Sequence, residues 1–113
     1  MDSVGNLYFS ESVASPDGRV RKVSVSSGIV STIIGTGATG GGTSYILHGP
    51  EGVWIDSVDT LYVSDSYNGR VLSYSVSTTT TTVLIPSTAG LNRPAGLWGD
   101  TLGNLYIPGE HVI

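Results

Sequence analysis

One segment of this 113-residue sequence has the spacing of a nucleotide-binding loop, because residues 35–40 (GTGATG) read G-x-G-x-x-G. In a dinucleotide site such a loop leads into a helix whose N-terminus faces the pyrophosphate. Here residues 41–44 (GGTS) follow, and then Pro50, a composition that does not support a helix. We therefore interpret the segment as a loop between strands and expect no cofactor.

The sequence contains little that could hold a metal ion. It has two histidines, His48 and His111, and no cysteine, so it cannot assemble a zinc site from three histidines or from thiolates. Asp56 and Asp100 occupy equivalent positions and could meet at a calcium ion, but aspartates in such places more often accept hydrogen bonds from turn amides. We predict turn capping, and no catalytic or metal-binding residue.

Three segments of the sequence repeat one another. Residues 2–11 (DSVGNLYFSE) are matched by residues 56–65 (DSVDTLYVSD) and, in a shorter copy, by residues 100–107 (DTLGNLYI). The copies begin 54 and then 44 residues apart. Repeats of roughly 20–50 residues are typical of architectures in which each unit buries its apolar face against its neighbours.

Short runs rich in Val, Ile, Tyr and Thr, bounded by Gly, Asn, Asp and Pro, predict strands throughout. In the middle copy we predict four strands, A to D, at 52–56, 60–64, 70–76 and 81–85. The first copy contains B, C and D at 7–10, 19–25 and 29–34, and the third contains A and B at 96–100 and 105–107. Four short antiparallel strands in roughly 44 residues are the pattern of a β-propeller blade.

We therefore predict an all-β protein, a β-propeller fragment of four-stranded antiparallel blades that forms an open arc of about two and a quarter blades. Residues 1–113 are one incomplete segment, with repeat 1 at 2–49, repeat 2 at 50–93 and repeat 3 at 94–113. Trp54 and Trp98 are expected to fill the space between blades. Pro108 is expected to end the last strand early, because proline has no amide donor.

The order of the motifs resembles that of NHL-repeat β-propellers. The resemblance extends over nearly the whole chain and is carried by residues 18–23 (GRVRKV), 28–33 (GIVSTI), 50–53 (PEGV), 61–65 (LYVSD) and 68–71 (NGRV). It implies a non-enzymatic protein, since NHL-repeat families are largely known for contacts with proteins and sometimes with RNA.

The charge of the chain disfavours a nucleic-acid partner. It has five Lys and Arg residues, a net charge of −4 and a pI near 4.7, whereas nucleic-acid surfaces normally carry a basic stripe. No run of about 18 apolar residues is present to span a membrane, and the first thirty residues do not read as a signal peptide. The sequence indicates no compartment.

One rim of the arc varies in length between the copies. Antiparallel strands turn at alternating ends of a sheet, so the A–B and C–D turns share one rim and the B–C and D–A loops share the other. All of the length variation falls on the B–C and D–A loops, at 11–18, 35–49, 65–69 and 86–93. Variable loops on a rigid scaffold commonly carry function. The predicted interaction residues on this variable rim are Glu11, Asp17, Tyr45, His48, Asp65, Tyr67, Asn68, Asn92 and Arg93.

Two further predictions concern ion pairs and function. Glu11 and Asp65 close strand B where Arg19 and Arg70 open strand C, which predicts a cross-strand ion pair in each blade. The predicted function is an interaction scaffold whose rim loops bind a protein or another ligand. The other expected contacts are with further blades of the same longer protein, or between copies through open sheet edges. The alternative is a fragment of a propeller hydrolase or lyase whose channel metal is held mostly by blades outside this sequence.

Overall fold

The computed structural model describes residues 1–11, 18–35 and 46–109. These residues form β-strands and two short 3-10 turns, with no α-helix among them. The strands are β1 (Leu7–Glu11), β2 (Arg19–Val23), β3 (Val30–Gly35), β4 (Pro50–Ile55), β5 (Thr60–Asp65), β6 (Arg70–Ser75), β7 (Thr80–Ile85), β8 (Trp98–Gly99) and β9 (Leu105–Tyr106). The 3-10 turns lie at Ser66–Asn68 and Ser87–Ala89. Neither turn has the length or apolar character needed to cross a membrane.

The strands form three antiparallel sheets in chain order, β1-β2-β3, β4-β5-β6-β7 and β8-β9. The predicted strands are found in place, with differences at their ends. Strand A of the middle copy begins at Pro50, and that of the third copy is reduced to Trp98–Gly99. As predicted, β9 ends at Tyr106, before Pro108.

The main hydrophobic core lies between the first and second sheets. Its fully buried members are Val20, Ile34, Leu47, Leu61, Val63 and Leu72. Along β5 the side chains point alternately toward the first sheet and toward the third sheet, because successive residues of a strand point to opposite faces. Leu61 and Val63 enter this core, and Tyr62 and Ser64 lie on the face toward the third sheet.

Trp54 fills the space between the second and third sheets, as predicted. Its indole packs over Gly99, where a Cβ atom would lie 2.5 Å from the ring, and it stacks on Tyr62 with centroids 5.9 Å apart. Trp98 stacks on Tyr106 in the same way, at 4.6 Å, but is 56% exposed. The prediction for Trp98 is therefore wrong, because no described strand covers the side of the third sheet on which it lies.

The same two sheets also meet backbone to backbone. A Cβ atom at Gly52 would lie 2.6 Å from the Cα of Gly96. The amide of Gly52 donates a hydrogen bond of 2.8 Å to the Ser64 hydroxyl, which in turn donates one to the carbonyl of Ala95. Only a glycine at position 52 permits this approach.

The three A–B turns are built alike. Each begins with an aspartate (Asp2, Asp56 or Asp100) whose Oδ1 accepts hydrogen bonds of 2.8–3.1 Å from the backbone amides two and four residues later. Its Oδ2 accepts a hydrogen bond from the hydroxyl of the tyrosine six residues later. This arrangement confirms that the aspartates cap the turns. In each turn the third residue after the aspartate has a positive φ, and Asp59, at 60°, adopts it as Gly5 and Gly103 do.

In the first and third turns the hydrogen-bond donors stabilise the charged form of the aspartate. At Asp2 burial alone would raise the pKa, but hydrogen bonds from Asn6, Tyr8 and the amide of Val4 outweigh it and hold the pKa below its usual value. At Asp100 hydrogen bonds, above all from Asn104, lower the pKa. Burial and the hydrogen bond to Asp2 raise the pKa of Tyr8. At neutral pH the first and third turns therefore each hold a charged aspartate and a neutral tyrosine.

Candidate functional site

Asp65 lies buried below the variable rim and holds its loops together by hydrogen bonds. The side chain is fully buried, and its carboxylate accepts hydrogen bonds from the His48 amide (2.7 Å), the Asn68 side-chain amide (2.8 Å) and Nε of Arg70 (2.8 Å). The bond to Arg70 is the predicted ion pair of this blade. These contacts fasten the end of the D–A loop to the 3-10 turn at 66–68. Asp65 thus positions the rim without being accessible to a partner.

Above Asp65, the side chains of His48, Tyr67 and Arg93 stack on one another at the rim, and we call these three residues the rim cluster. The guanidinium carbon of Arg93 lies 4.4 Å from the centre of the Tyr67 ring, and its Nη2 donates a hydrogen bond of 2.6 Å to the Tyr67 hydroxyl. The His48 and Tyr67 ring centroids are 5.3 Å apart. The D–A loops before and after the second sheet, and the B–C loop within it, each supply one residue.

The backbone around the rim cluster fixes the position of Tyr67. Its amide donates a hydrogen bond of 3.0 Å to the carbonyl of His48. Gly49 has a φ of 65°, and a Cβ atom there would lie 2.4 Å from the Tyr67 ring. The ring can therefore lie directly against the backbone, with 47% of the residue exposed. Asn68 contributes to the same arrangement, since its side chain bonds to Asp65.

A depression of about 260 Å³ adjoins the rim cluster. Its lining residues are Glu51, Ser66, Arg93, Ala95 and Gly109. The Ser66 hydroxyl is buried and has no hydrogen-bond partner in the part of the chain that the structure describes. A buried hydroxyl without a partner costs about 1–3 kcal/mol. Glu51 and Arg93 place opposite charges on the same depression.

Sequence reasoning missed Glu51 and Ser66. Each directly follows a residue singled out by the repeat alignment, Pro50 and Asp65, at the edge of a predicted rim loop. Their position next to the variable loops was the available signal. Alignment of the three copies identifies residues that recur at equivalent positions, however, and does not reveal a cavity between neighbouring blades.

Of the other predicted rim residues, one lies apart from the rim cluster, one adjoins it, and two lie outside the described residues. Glu11 is in the first sheet, where its carboxylate bonds to Nε of Arg19 at 3.0 Å, as predicted, and to Arg21 at 3.2 Å. Asn92 is exposed beside Arg93. Asp17 and Tyr45 lie outside the described residues, as do His111 and all of the glycine-rich segment after Gly35.

Comparisons with known proteins identify the fold. No protein-family model matches the sequence, and no curated protein matches it. The chain is similar to a chain in the crystal structure of a nidogen/laminin complex, with a TM-score of 0.69 and 26% sequence identity. The similarity covers 94% of this chain and 36% of that one, so this chain spans about a third of the length of its structural neighbour.

Together with the sheet topology, this similarity defines the class of fold. The chain is an all-β, open arc of antiparallel β-propeller blades, with sheets of three, four and two strands in the described residues. The predicted fold class is confirmed. The repeat boundaries at 49/50 and 93/94 stay a prediction, as does the NHL type of the repeats.

Proposed function

We propose that this chain is a non-enzymatic, protein-binding scaffold of the NHL-repeat type, and that its binding face consists of the rim cluster and the adjoining depression. The structural neighbour belongs to a protein–protein complex, which supports a protein as the partner. The motifs at 50–53, 61–65 and 68–71 support the NHL assignment. The acidic charge of the chain favours a protein over RNA.

The observation that carries this proposal is the stacking of Arg93 on an exposed Tyr67. Tyr and Arg are the residue types most enriched where protein interfaces bind most strongly. Immobilising such side chains normally costs about 0.5–1.5 kcal/mol each on binding. Here the hydrogen bond and ring contact between them, and the packing of Tyr67 on Gly49, hold them in place beforehand.

The depression beside the rim cluster supplies the polar part of the proposed face. A partner side chain that entered it would meet the opposite charges of Glu51 and Arg93. We expect the partner to place a hydroxyl or amide there, because such a group can both donate to the Glu51 carboxylate and accept from the Arg93 guanidinium.

The test of the proposal begins with a photo-crosslinking amino acid placed at position 67, and separately at Ser77. Ser77 is exposed on the C–D turn, at the opposite rim. We expect crosslinks to a protein partner from position 67 and none to that partner from position 77. The affinity of the purified partner is then measured for Tyr67→Ala and Arg93→Ala, each of which should weaken binding about tenfold or more.

Ser77→Ala is the matched control and should bind like the unmodified protein. Equal affinity of Tyr67→Ala, Arg93→Ala and the unmodified protein for this partner would overturn the proposed face. Metal analysis tests the other part of the proposal, since stoichiometric calcium or zinc in the purified protein would contradict a non-enzymatic scaffold and favour the propeller hydrolase or lyase.

A further inference from the structure

The first two A–B turns are joined by a carboxylate. Asp59 in the second turn accepts two hydrogen bonds from Ser3 in the first, one at Oδ1 from the backbone amide at 2.9 Å and one at Oδ2 from the hydroxyl. The amide and hydroxyl of Ser3 therefore act together as a carboxylate clamp between neighbouring blades. This contact lies on the constant rim, opposite the rim cluster.

The second and third A–B turns lack this contact, although the donor side is conserved in type and position between the copies. Ser57 follows Asp56 as Ser3 follows Asp2, and the two aspartates accept hydrogen bonds from the backbone amides of equivalent residues. The residue that corresponds to Asp59 is Gly103, which has no side chain to reach back. In the described residues neither the amide nor the hydroxyl of Ser57 has a hydrogen-bond partner.

A cavity of about 560 Å³ lies where the missing carboxylate would be. It is lined by Trp54, Asp56, Ser57, Val58, Gly99, Asp100, Thr101 and Gly103. A Cβ atom built on Gly103 meets no other atom within 4 Å, so the space in front of it is open. Trp54 and Val58 give one side of the cavity an apolar wall.

We propose that this cavity, the clamp notch, binds the carboxylate of an aspartate or glutamate side chain from a partner protein. The Ser57 amide and hydroxyl would donate to the carboxylate as the Ser3 groups donate to Asp59, and an apolar neighbour of the acidic residue would pack on Trp54. The notch is distinct from the rim cluster, and its existence does not depend on the function proposed for that cluster.

Two aspartates line the clamp notch, and their charges do not prevent carboxylate binding. Asp56 and Asp100 are each surrounded by amide and hydroxyl donors of their own turn. Asp59 follows Asp56 by three positions and bonds to Ser3, the residue after Asp2, so it forms both bonds although two aspartates capped in the same way are its near neighbours in the two turns. The chain thus already contains the arrangement that the proposal requires.

The test uses two capped dipeptides, acetyl-Asp-Leu-amide and its uncharged analogue acetyl-Asn-Leu-amide, titrated into the full chain and followed by amide NMR. We expect the acidic peptide to shift the Ser57 amide and the Trp54 indole N–H saturably, with a dissociation constant in the millimolar range typical of so small a contact. The uncharged peptide should bind at least tenfold more weakly. Acetyl-Ala, whose carboxylate is C-terminal, tests whether a chain terminus binds as well as a side chain. Binding of acetyl-Ala as tight as that of the acidic peptide would overturn the assignment to a side chain.

Two variants control the experiment from within the chain. Gly103→Asp supplies the missing carboxylate at a positive φ that Asp59 already adopts, and it should abolish the peptide-induced shift at Ser57. Asp59→Gly removes the internal carboxylate and should make the Ser3 amide respond to the acidic peptide as Ser57 does. An unchanged response of Ser57 in Gly103→Asp would overturn the proposal, as would no saturable shift in the unmodified chain. Equal binding of the Asn peptide would do the same.

Discussion

The repeated Asp–Tyr pair shows how one residue type fixes a turn. At Asp56, Oδ1 accepts from the amides of Val58 and Thr60 at 3.0 and 2.8 Å, and Oδ2 accepts from the Tyr62 hydroxyl at 3.1 Å. One carboxylate therefore satisfies the amides that begin the turn and ties it to the following strand. The amide bonds should contribute more than the tyrosine bond, because they form the turn itself.

We expect Asp56→Ala to lower the free energy of unfolding by about 1–2 kcal/mol, since two turn amides lose their acceptor. Tyr62→Phe removes only the hydroxyl and should cost about 0.5–1.5 kcal/mol and less than the alanine variant. Urea denaturation monitored by tryptophan fluorescence measures both. Equal losses in the two variants would mean that the amide bonds do not stabilise the turn.

At the residue scale the sequence was informative about chemistry and less so about burial. The capping role of Asp56 and Asp100 follows from residue type and position in the repeat, and was predicted. Glu11 and Asp65 also occupy equivalent positions, and both pair with an arginine as predicted. Asp65 is nevertheless fully buried whereas the Glu11 side chain is 30% exposed. Burial depends on which elements pack over a residue, and a comparison of copies does not contain that information.

At the scale of elements, the backbone-to-backbone contact between the second and third sheets depends on Gly52. Residues 52 and 96 are equivalent in the repeat, but their surroundings differ. A Cβ atom at Gly52 would lie 2.6 Å from the Cα of Gly96 and 2.7 Å from the carbonyl oxygen of Ala95. A Cβ atom at Gly96 meets nothing within 4 Å. Backbone atoms cannot rotate away as a side chain can, so the sheets must separate to admit a methyl group at 52.

Gly52→Ala should therefore cost about 1–3 kcal/mol, the range for overfilling a packed interior. It should also increase hydrogen exchange at the amides of β8 and β9, since these strands lose their support. Gly96→Ala is the matched control and should change stability by no more than about 0.5 kcal/mol. If Gly52→Ala left exchange in β8 and β9 unchanged, the close approach at Gly52 would not hold the third sheet.

The strands were predictable because their alternation and the glycine, asparagine and aspartate residues that bound them are local signals. The arrangement of the variable rim was not, because it depends on contacts between loops. The His48 ring contacts the Tyr67 ring while the buried Asp65 holds the His48 amide, and Arg93 reaches Tyr67 from the next loop. Sequence placed these residues on one rim without showing that they touch.

At the scale of the whole molecule, the arc has two outer blade faces whose residues are exposed, whereas the equivalent residues inside the arc are covered by a neighbouring sheet. Leu61 and Val63 on β5 are 1% and 0% exposed, because the first sheet covers them. Leu7 and Phe9, their equivalents on β1, are 47% and 38% exposed, and we call the face on which they lie the leading face. The trailing face carries Trp98 and Tyr106, 56% and 45% exposed.

In the described residues the sheets pack with the trailing face of one blade on the leading face of the next, so the two exposed faces are complementary in type. Head-to-tail contact between copies uses different surfaces on each partner and need not close into a ring. We therefore expect the purified chain to self-associate, with a weight-average mass that rises with concentration in sedimentation velocity experiments.

Phe9→Asp and Trp98→Ala should each reduce this rise in mass, because one residue lies on each side of the contact. Leu102→Asp is the control, because Leu102 is 85% exposed on a turn outside both faces. An equal reduction by Leu102→Asp, or none by Phe9→Asp, would show that association does not occur through blade faces.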